Sequence, residues 1–382
     1  MKTLEKDDLA RLIKSVFPAL PGDKRLGVLV DVPRKKATDN PDWKKRRSLA
    51  GEWASLLGAA AGDIPLEGIG LIAYPDVGSN NADLPATAYE IDGAPPDGAD
   101  GLASSGREVP FAEIFKRYQL FLAPTEFSTT APLKIAAKEH GFRAATMPGF
   151  SEKMLPALKL DYDEVSRRVR LLQERLDRAE TARISFLVDG EFNFRMTFDL
   201  RHRTSHVSSG RFPDKGTAGN LPSGETYIVP YEGERGEPSR TEGVLPVQIG
   251  LEIVLFLIQE NQAVYVDGEG EADADEMNHI MREPAYGNMA ELGFGVLGDM
   301  GLRPIGEMLL DEKLGLHVAF GRSDHFGGAV GPKNFSAPSE VIHLDRIYIP
   351  AVQPRISVES LSLEYKDAAP ETVIEKDRYT IW

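Results

Sequence analysis

One long amphipathic segment, residues 161–181, separates two parts of this chain that differ in their patterns of apolar and turn-forming residues. Val165, Val169, Leu172 and Leu176 recur there at helical spacing, and most of the intervening positions are Arg and Glu, which predicts a helix with one buried face. Before this segment, short apolar runs alternate with helical patterns, which is typical of a parallel sheet covered by helices. After it, alternating strand patterns and frequent Gly, Pro and Asp turns indicate a β-rich region.

The sequence therefore predicts an α/β protein of two domains, which suits a length of 382 residues. We place an N-terminal α/β domain with a parallel sheet at 1–160, a bridging helix at 161–181, and a β-rich α+β C-terminal domain that binds metal at 182–382. In the first domain we predict strands at 26–32, 69–74, 119–123 and 142–147, a helix at 130–140 ended by Gly141, and a Gly- and Pro-rich loop at 92–108.

Composition limits the chemistry that the chain can perform. There is no cysteine, which excludes disulfides, thiolate metal sites and cysteine nucleophiles, so any metal must be held by His and carboxylates. A net charge of −15 argues against nucleic acid and anionic membranes as partners. The N-terminus has no apolar signal-peptide core, and the longest apolar stretch, 249–258, is too short to span a bilayer. We therefore expect a cytoplasmic protein.

Two histidines stand in patterns that suit a metal site. His343 and Asp345 are two residues apart in a strand pattern, so their side chains project from the same face. His317 lies in an apolar strand pattern at 314–320, where a buried imidazole needs a polar partner. The alternatives are a surface pair for the first motif and a hydrogen-bonded core histidine for the second.

Two glutamates complete the candidate ligand set. Glu225 follows the Pro-Ser-Gly turn at 222–224, and Glu291 lies among Leu, Phe and Gly. A carboxylate in such surroundings is costly unless it is paired or binds a cation. The alternative is a buried ion pair with an arginine such as Arg322. Taken together, the His, Glu and Asp residues of these patterns are enough to hold two adjacent divalent cations.

The order of these motifs resembles the thermophilic metallo-aminopeptidases. The stretches that carry the resemblance are FLAPTEFSTTAPLKIAAKEHGFRAATMPGFSEKML, NLPSGE, NMAELGFG, DEKLGLHVAFG and IHLD, between about Tyr118 and Ile349. That family belongs to a leucyl-aminopeptidase-like superfamily. The resemblance implies a dinuclear site with Zn, Co or Mn, and it places the ligands on Glu225, Glu291, His317, His343 and Asp345.

One position departs from the family pattern. The family has a catalytic Tyr seven residues after its first His, and here that position is Asp324, followed by His325. We expect one of these two residues to take the place of the Tyr beside an oxyanion, and Glu225 or Glu291 to act as general base. We also expect weak or absent activity on standard aminoacyl substrates and a preference for another amide or a small cyclic substrate.

The same superfamily includes the dihydroxypyridine dioxygenases. A resemblance to that branch would imply a single Fe(II) held by two His and one Asp. That branch has a His at the position of Glu291, and it lacks the counterparts of Glu225 and His317. Because this sequence keeps all three residues, it resembles the hydrolases more than the dioxygenases. A mononuclear iron ring-cleaving dioxygenase is the alternative enzyme, and a binding protein that keeps the fold is the non-catalytic one. As partners we expect a small-molecule or short-peptide substrate and a second copy of the chain in a homodimer.

Overall fold

The structure is a computed structural model that describes residues 4–60 and 62–382. Its helices are α1 (Lys6–Val16), α2 (Pro41–Ala59), α3 (Leu102–Ser105), α4 (Phe111–Arg117), α5 (Thr130–His140), α6 (Tyr162–Leu176), α7 (Ala272–Arg282) and α8 (Met308–Asp311). Its strands are β1 (Arg25–Val32), β2 (Gly68–Pro75), β3 (Thr87–Ile91), β4 (Gly106–Pro110), β5 (Leu120–Ala123), β6 (Arg143–Thr146), β7 (Ala179–Val188), β8 (Phe192–Asp199), β9 (His206–Ser208), β10 (Ala218–Asn220), β11 (Glu225–Ile228), β12 (Glu242–Ile249), β13 (Glu252–Gln259), β14 (Gln262–Gly268), β15 (Met289–Gly295), β16 (Leu316–Gly321), β17 (His343–Tyr348), β18 (Ile356–Tyr365), β19 (Glu371–Glu375) and β20 (Arg378–Tyr379).

The chain separates into two compact units. The first comprises Met1–Ser166 and Ser208–Ser223, and the second comprises Arg167–Val207 and Gly224–Trp382. The return of 208–223 to the first unit has a structural reason, because β10 within it adds to the edge of the first sheet by parallel pairing with β6. Sequence patterns did not reveal this strand, and the domain limits drawn from the sequence at 160 and 182 stay a prediction.

The first unit is built on the predicted α/β sheet. Strand order is β10-β6-β5-β1-β2-β3-β4. The pairs from β10 to β2 are parallel, and β1 is buried along nearly its whole length, as a strand covered on both faces must be. Helix α5 has the predicted bounds, and Gly141 ends it in the left-handed conformation with φ of 76°. The prediction of an α/β fold with a mostly parallel sheet is confirmed.

The loop predicted at 92–108 is wrong in its second half. Residues there form α3 and β4, and β4 pairs with β3 as an antiparallel edge. A Cβ on Gly106 would lie 2.2 Å from the Glu90 carbonyl oxygen, so the glycine that suggested a loop instead permits close approach of two strands. Pairing with a neighbour, which local composition does not report, decided the structure of this segment.

The amphipathic helix is shorter than predicted. All four residues of its predicted apolar face are fully buried in α6, but the helix ends at Leu176 and β7 begins at Ala179. Thr181 pairs with both β8 and β18, and Ala179 pairs with β18. No Gly or Pro marks this helix end in the sequence, so the predicted helix runs five residues too far, and the last three of them belong to a strand held by long-range pairing.

The second unit is a pair of mostly antiparallel sheets, as predicted for a β-rich domain. The larger sheet has the order β14-β13-β12-β8-β7-β18-β19-β20, and the smaller one has the order β17-β16-β15-β11-β9. Aromatic contacts join them, with ring centroids 5.0 Å apart for Phe256 and Phe320 and 4.9 Å apart for Phe186 and Tyr348. Nowhere in the described residues is a helix both long and apolar enough to cross a membrane.

Candidate metal centre

The register of the smaller sheet gathers the candidate ligands on one face. Residues directly opposite each other on neighbouring antiparallel strands project to the same side. The opposed sets on this face are Glu225–Gly295, Gly293–His317, Glu291–Ala319–Asp345 and Gly321–His343. The residues between the charged groups are Gly and Ala, so the sheet leaves room for the long polar side chains around them.

Three of these side chains could hold a cation together. One ligand atom each from Glu291, His343 and Asp345 lies within 4.8 Å of the others. His343 Nε2 is 3.3 Å from Glu291 Oε2 and 3.6 Å from Asp345 Oδ1. One imidazole nitrogen and two carboxylates suit divalent Zn, Mn, Co or Fe, so the donor chemistry fits the metal that the sequence led us to expect.

Backbone carbonyl groups orient both site imidazoles. The Nδ1 of His343 lies 2.8 Å from the Arg322 carbonyl oxygen, and the Nδ1 of His317 lies 3.2 Å from that of Gly315. A carbonyl oxygen only accepts, so each Nδ1 must carry the proton and donate it. Each Nε2 is thereby turned towards the carboxylates, which is the arrangement that surrounding groups impose on metal-binding histidines.

Glu291 links the two histidines. Its Oε1 lies 3.2 Å from His317 Nε2, while its Oε2 faces His343. The imidazole of His317 fits there only because residue 293 is glycine, since a Cβ at that position would lie 1.9 Å from His317 Nε2. His317 Nε2 is also 3.8 Å from Glu225 Oε2, so the structure brings all five proposed ligands together on one face of the sheet.

A lysine that the sequence analysis did not single out lies in the same cluster. Lys313 Nζ is 2.7 Å from Glu225 Oε1 and also forms an ion pair with Glu312. Its side chain is only 3% exposed. The buried ion pair considered for Glu225 is therefore present with Lys313 as the partner, whereas Arg322 pairs with Asp324 at 2.5 Å. No spacing in the sequence signals this pairing, because Lys313 and Glu225 are far apart along the chain.

The charges of the site shift its pKa values strongly. Burial lowers the pKa of His343, but the carboxylates of Asp345 and Glu291 outweigh burial and raise it to about 11. Burial also opposes the charged form of His317, yet Glu291 raises that pKa to about 9. Burial raises the pKa of Glu312 to about 7, with Lys313 opposing the shift. In the absence of a cation, the Nε2 atoms of both imidazoles therefore carry a proton as well, and a cation held by His343 would displace the Nε2 proton of that ring.

The two residues at the position of the family tyrosine differ in their surroundings. The His325 ring lies beside that of His343, with centroids 5.3 Å apart, and it packs on Phe326 at 3.9 Å. Burial, followed by the charges of His343 and Arg322, lowers the pKa of His325 to about 4, so it is neutral near pH 7. Asp324 instead directs its carboxylate to Arg322. A catalytic part for either residue stays a prediction.

Tyr227 is a further site residue that sequence reasoning missed. It follows Glu225 by two positions on β11, so it projects from the same face. Its ring contacts Phe326 at 4.7 Å and His206 at 5.3 Å. Burial, with the charges of Glu225 and Glu291, raises the pKa of its phenol, which therefore stays protonated as a neutral donor. The same two-residue spacing that singled out His343 and Asp345 would have found it.

Comparison with solved structures shows which fold this is. The 2,5-dihydroxypyridine dioxygenase from Pseudomonas putida KT2440 matches with a TM-score of 0.56 and 14% identity, over 99% of this chain and 98% of that one. Wild-type AmpT from Thermus thermophilus matches with a TM-score of 0.53 and 13% identity, over 98% of this chain and 99% of that one. No family model and no curated protein sequence matches. The chain thus has the fold shared by these two enzymes, as the motif order predicted.

Proposed function

We propose that this protein is a metal-dependent hydrolase that cleaves an amide or peptide bond in the manner of an aminopeptidase. The observation that carries the proposal is the cluster of Glu291, His343 and Asp345, whose ligand atoms lie within 4.8 Å of one another. The chain also shares its fold with the aminopeptidase AmpT, and this likeness supports the proposal of a hydrolase. The substrate class that we propose is a small molecule or a short peptide.

The residues of the site have separate tasks in this proposal. Glu291, His343 and Asp345 would hold a divalent cation, which would supply an activated water molecule and polarisation of the substrate carbonyl. Glu225 would serve as the general base that accepts the proton of the attacking water. Tyr227 and His325, both neutral near pH 7, are the candidate donors to the oxyanion, because an ionised Asp324 can only accept.

A second function is favoured by the likeness to the dioxygenase. His317 and His343 both turn Nε2 towards Glu291, and two histidines with one carboxylate form the ligand set of non-haem Fe(II) oxygenases. A mononuclear, ring-cleaving dioxygenase acting on a dihydroxylated pyridine is therefore the alternative. We favour the hydrolase because the carboxylates at this site outnumber the imidazoles.

Parallel assays of the purified protein separate the two functions. Samples loaded with Mn²⁺, Co²⁺, Zn²⁺ or, under argon, Fe²⁺ are tested for release of free amino groups from short peptides and simple amides, and for oxygen uptake with 2,5-dihydroxypyridine. We expect metal-dependent amide cleavage that His343→Ala abolishes. Iron-dependent oxygen uptake without amide cleavage would select the dioxygenase. The absence of both, with no bound cation, would refute either enzyme.

A further inference from the structure

The family resemblance of the sequence implies a second cation beside Glu225, and the structure allows its fit to be tested. The donors would be Glu225, Glu291 and His317. A carboxylate that already neutralises a buried ammonium group is a poor ligand for a further cation, because the two positive charges repel each other where water is excluded. Glu225 is such a carboxylate, because Lys313 Nζ lies 2.7 Å from its Oε1 and is almost completely buried.

The backbone fixes Lys313 in this position. The Leu297 amide donates to the Lys313 carbonyl oxygen at 2.8 Å. A Cβ on Gly295 would lie 2.2 Å from the Lys313 carbonyl carbon, so the chain around Lys313 packs directly on β15. Glu225 lies opposite Gly295 in the register of β11 and β15. The lysine side chain therefore emerges beside the glutamate.

Burial keeps the ammonium group with its carboxylates. A buried ammonium group is stable only where carboxylates compensate it, and Glu225 and Glu312 do so here. Two cations of a dinuclear centre lie roughly 3.5–4 Å apart and share their bridging ligands. The ammonium group of Lys313 already supplies a positive charge at Glu225, where the second cation of a dinuclear centre would be expected.

We propose that Lys313 takes the place of a second cation, so that the centre holds one divalent cation and one buried ammonium group. This inference rests on the proposed function, because it assumes a cation on Glu291, His343 and Asp345. We therefore expect one bound cation, not two, with the second positive charge supplied by the Lys313 side chain. Lys313 is then a positioning residue, which holds Glu225 beside His317.

The test is a count of bound cations. Wild-type protein, Lys313→Ala, Glu225→Gln and the double variant are loaded with Mn²⁺ or Zn²⁺, freed of excess metal by gel filtration, and analysed for metal per chain. We expect one cation in the wild type and one in Glu225→Gln. Lys313→Ala frees the carboxylates of Glu225 and Glu312 and should hold two, and the double variant should return to one. Lys313→Arg, which keeps the charge, should hold one.

Each outcome is decisive. Two cations in the wild type, with one in Glu225→Gln, would overturn the inference while leaving the proposed function standing. A folded Lys313→Ala chain that still holds one cation would also overturn it. If Lys313→Ala does not fold, the comparison of the wild type with Glu225→Gln is the test. One bound cation per chain in both proteins would support the inference. A wild-type chain without any cation would remove the proposed function together with the inference.

Discussion

Replacing Gly293 by alanine should displace the His317 imidazole without removing any side chain of the site. The added Cβ would lie 1.9, 2.3 and 2.5 Å from Nε2, Cε1 and Cδ2 of His317, whereas ordinary contacts of a Cβ begin at 3.4 Å. The ring must therefore retreat by about 1.5 Å to restore van der Waals contact. His317 is only 1% exposed, so the retreat meets packed neighbours.

The expected cost follows from these distances. Overpacking of this kind lowers the free energy of unfolding by about 1–3 kcal/mol. A shift of about 1.5 Å far exceeds the ~0.2 Å tolerance of a functional ligand position, so His317 should lose its contact with Glu291. We expect amide-cleaving turnover to fall roughly 10–100-fold, as it does when groups supporting a metal site are lost. Metal content should stay at the wild-type value, because His317 lies outside the Glu291, His343 and Asp345 cluster.

The measurements are turnover, metal per chain and the midpoint of thermal unfolding. Gly58→Ala is the matched control, because Gly58 lies inside α2 and a Cβ there would meet nothing within 4 Å. That variant should keep full turnover and be at least as stable, since alanine favours a helix by about 1 kcal/mol over glycine. A Gly293→Ala protein with wild-type turnover and an unchanged midpoint would refute the reasoning. Loss of the cation would make His317 a ligand.

Four further changes test other parts of the site and the fold. His343→Ala should lose bound metal and all metal-dependent turnover but keep its circular dichroism spectrum, since the residue is partly exposed; unchanged turnover would contradict its assignment as a ligand. Asp324→Tyr should raise cleavage of aminoacyl anilides over the wild type, and wild-type rates already typical of an aminopeptidase would show that the tyrosine is dispensable. Tyr227→Phe should lower kcat about 10–100-fold with little change in KM if the phenol donates to the oxyanion, and an effect on KM alone would exclude that part. Burial raises the pKa of Asp31 to about 6, so its contribution to stability is complete below the unfolded pKa near 4 and is lost as pH rises through 6. Asp31→Asn should remove this loss, which is worth ~3 kcal/mol, and unfolding curves of both proteins between pH 4 and 7 that run parallel would contradict it.

The parts of the fold that were predictable carry their signal within a few neighbouring residues. Helix α5 has its predicted bounds because the signal that ends it, Gly141, directly follows its last residue. The edge strand β4 and the early start of β7 were missed because their structure depends on strands far away in the sequence. Local composition indicates which secondary structure a segment prefers, whereas pairing with distant strands decides which structure it adopts.

The same distinction applies to the candidate site. His343 and Asp345 were placed on one face by the two-residue period of a strand, and the structure has them there. The partner of Glu225 was not predictable, because Lys313 reaches it through a turn packed on β15 and not through spacing along the chain. The sequence could indicate that a buried glutamate needs a counter-charge, but it named Arg322, which pairs with Asp324 instead.

The residues of the centre come from four strands that are widely spaced along the chain, from Glu225 on β11 to Asp345 on β17. A ribosome delivers them in order, so a growing chain holds Glu225 and Glu291 long before His343 exists. Pairing of such distant segments is entropically costly and therefore forms late in folding. A cation that binds the finished cluster acts on this last step, because it stabilises only chains whose β15, β16 and β17 are already in register. Cells short of the metal would then lose this added stability, and a larger fraction of the folded chains would open and be degraded by proteases.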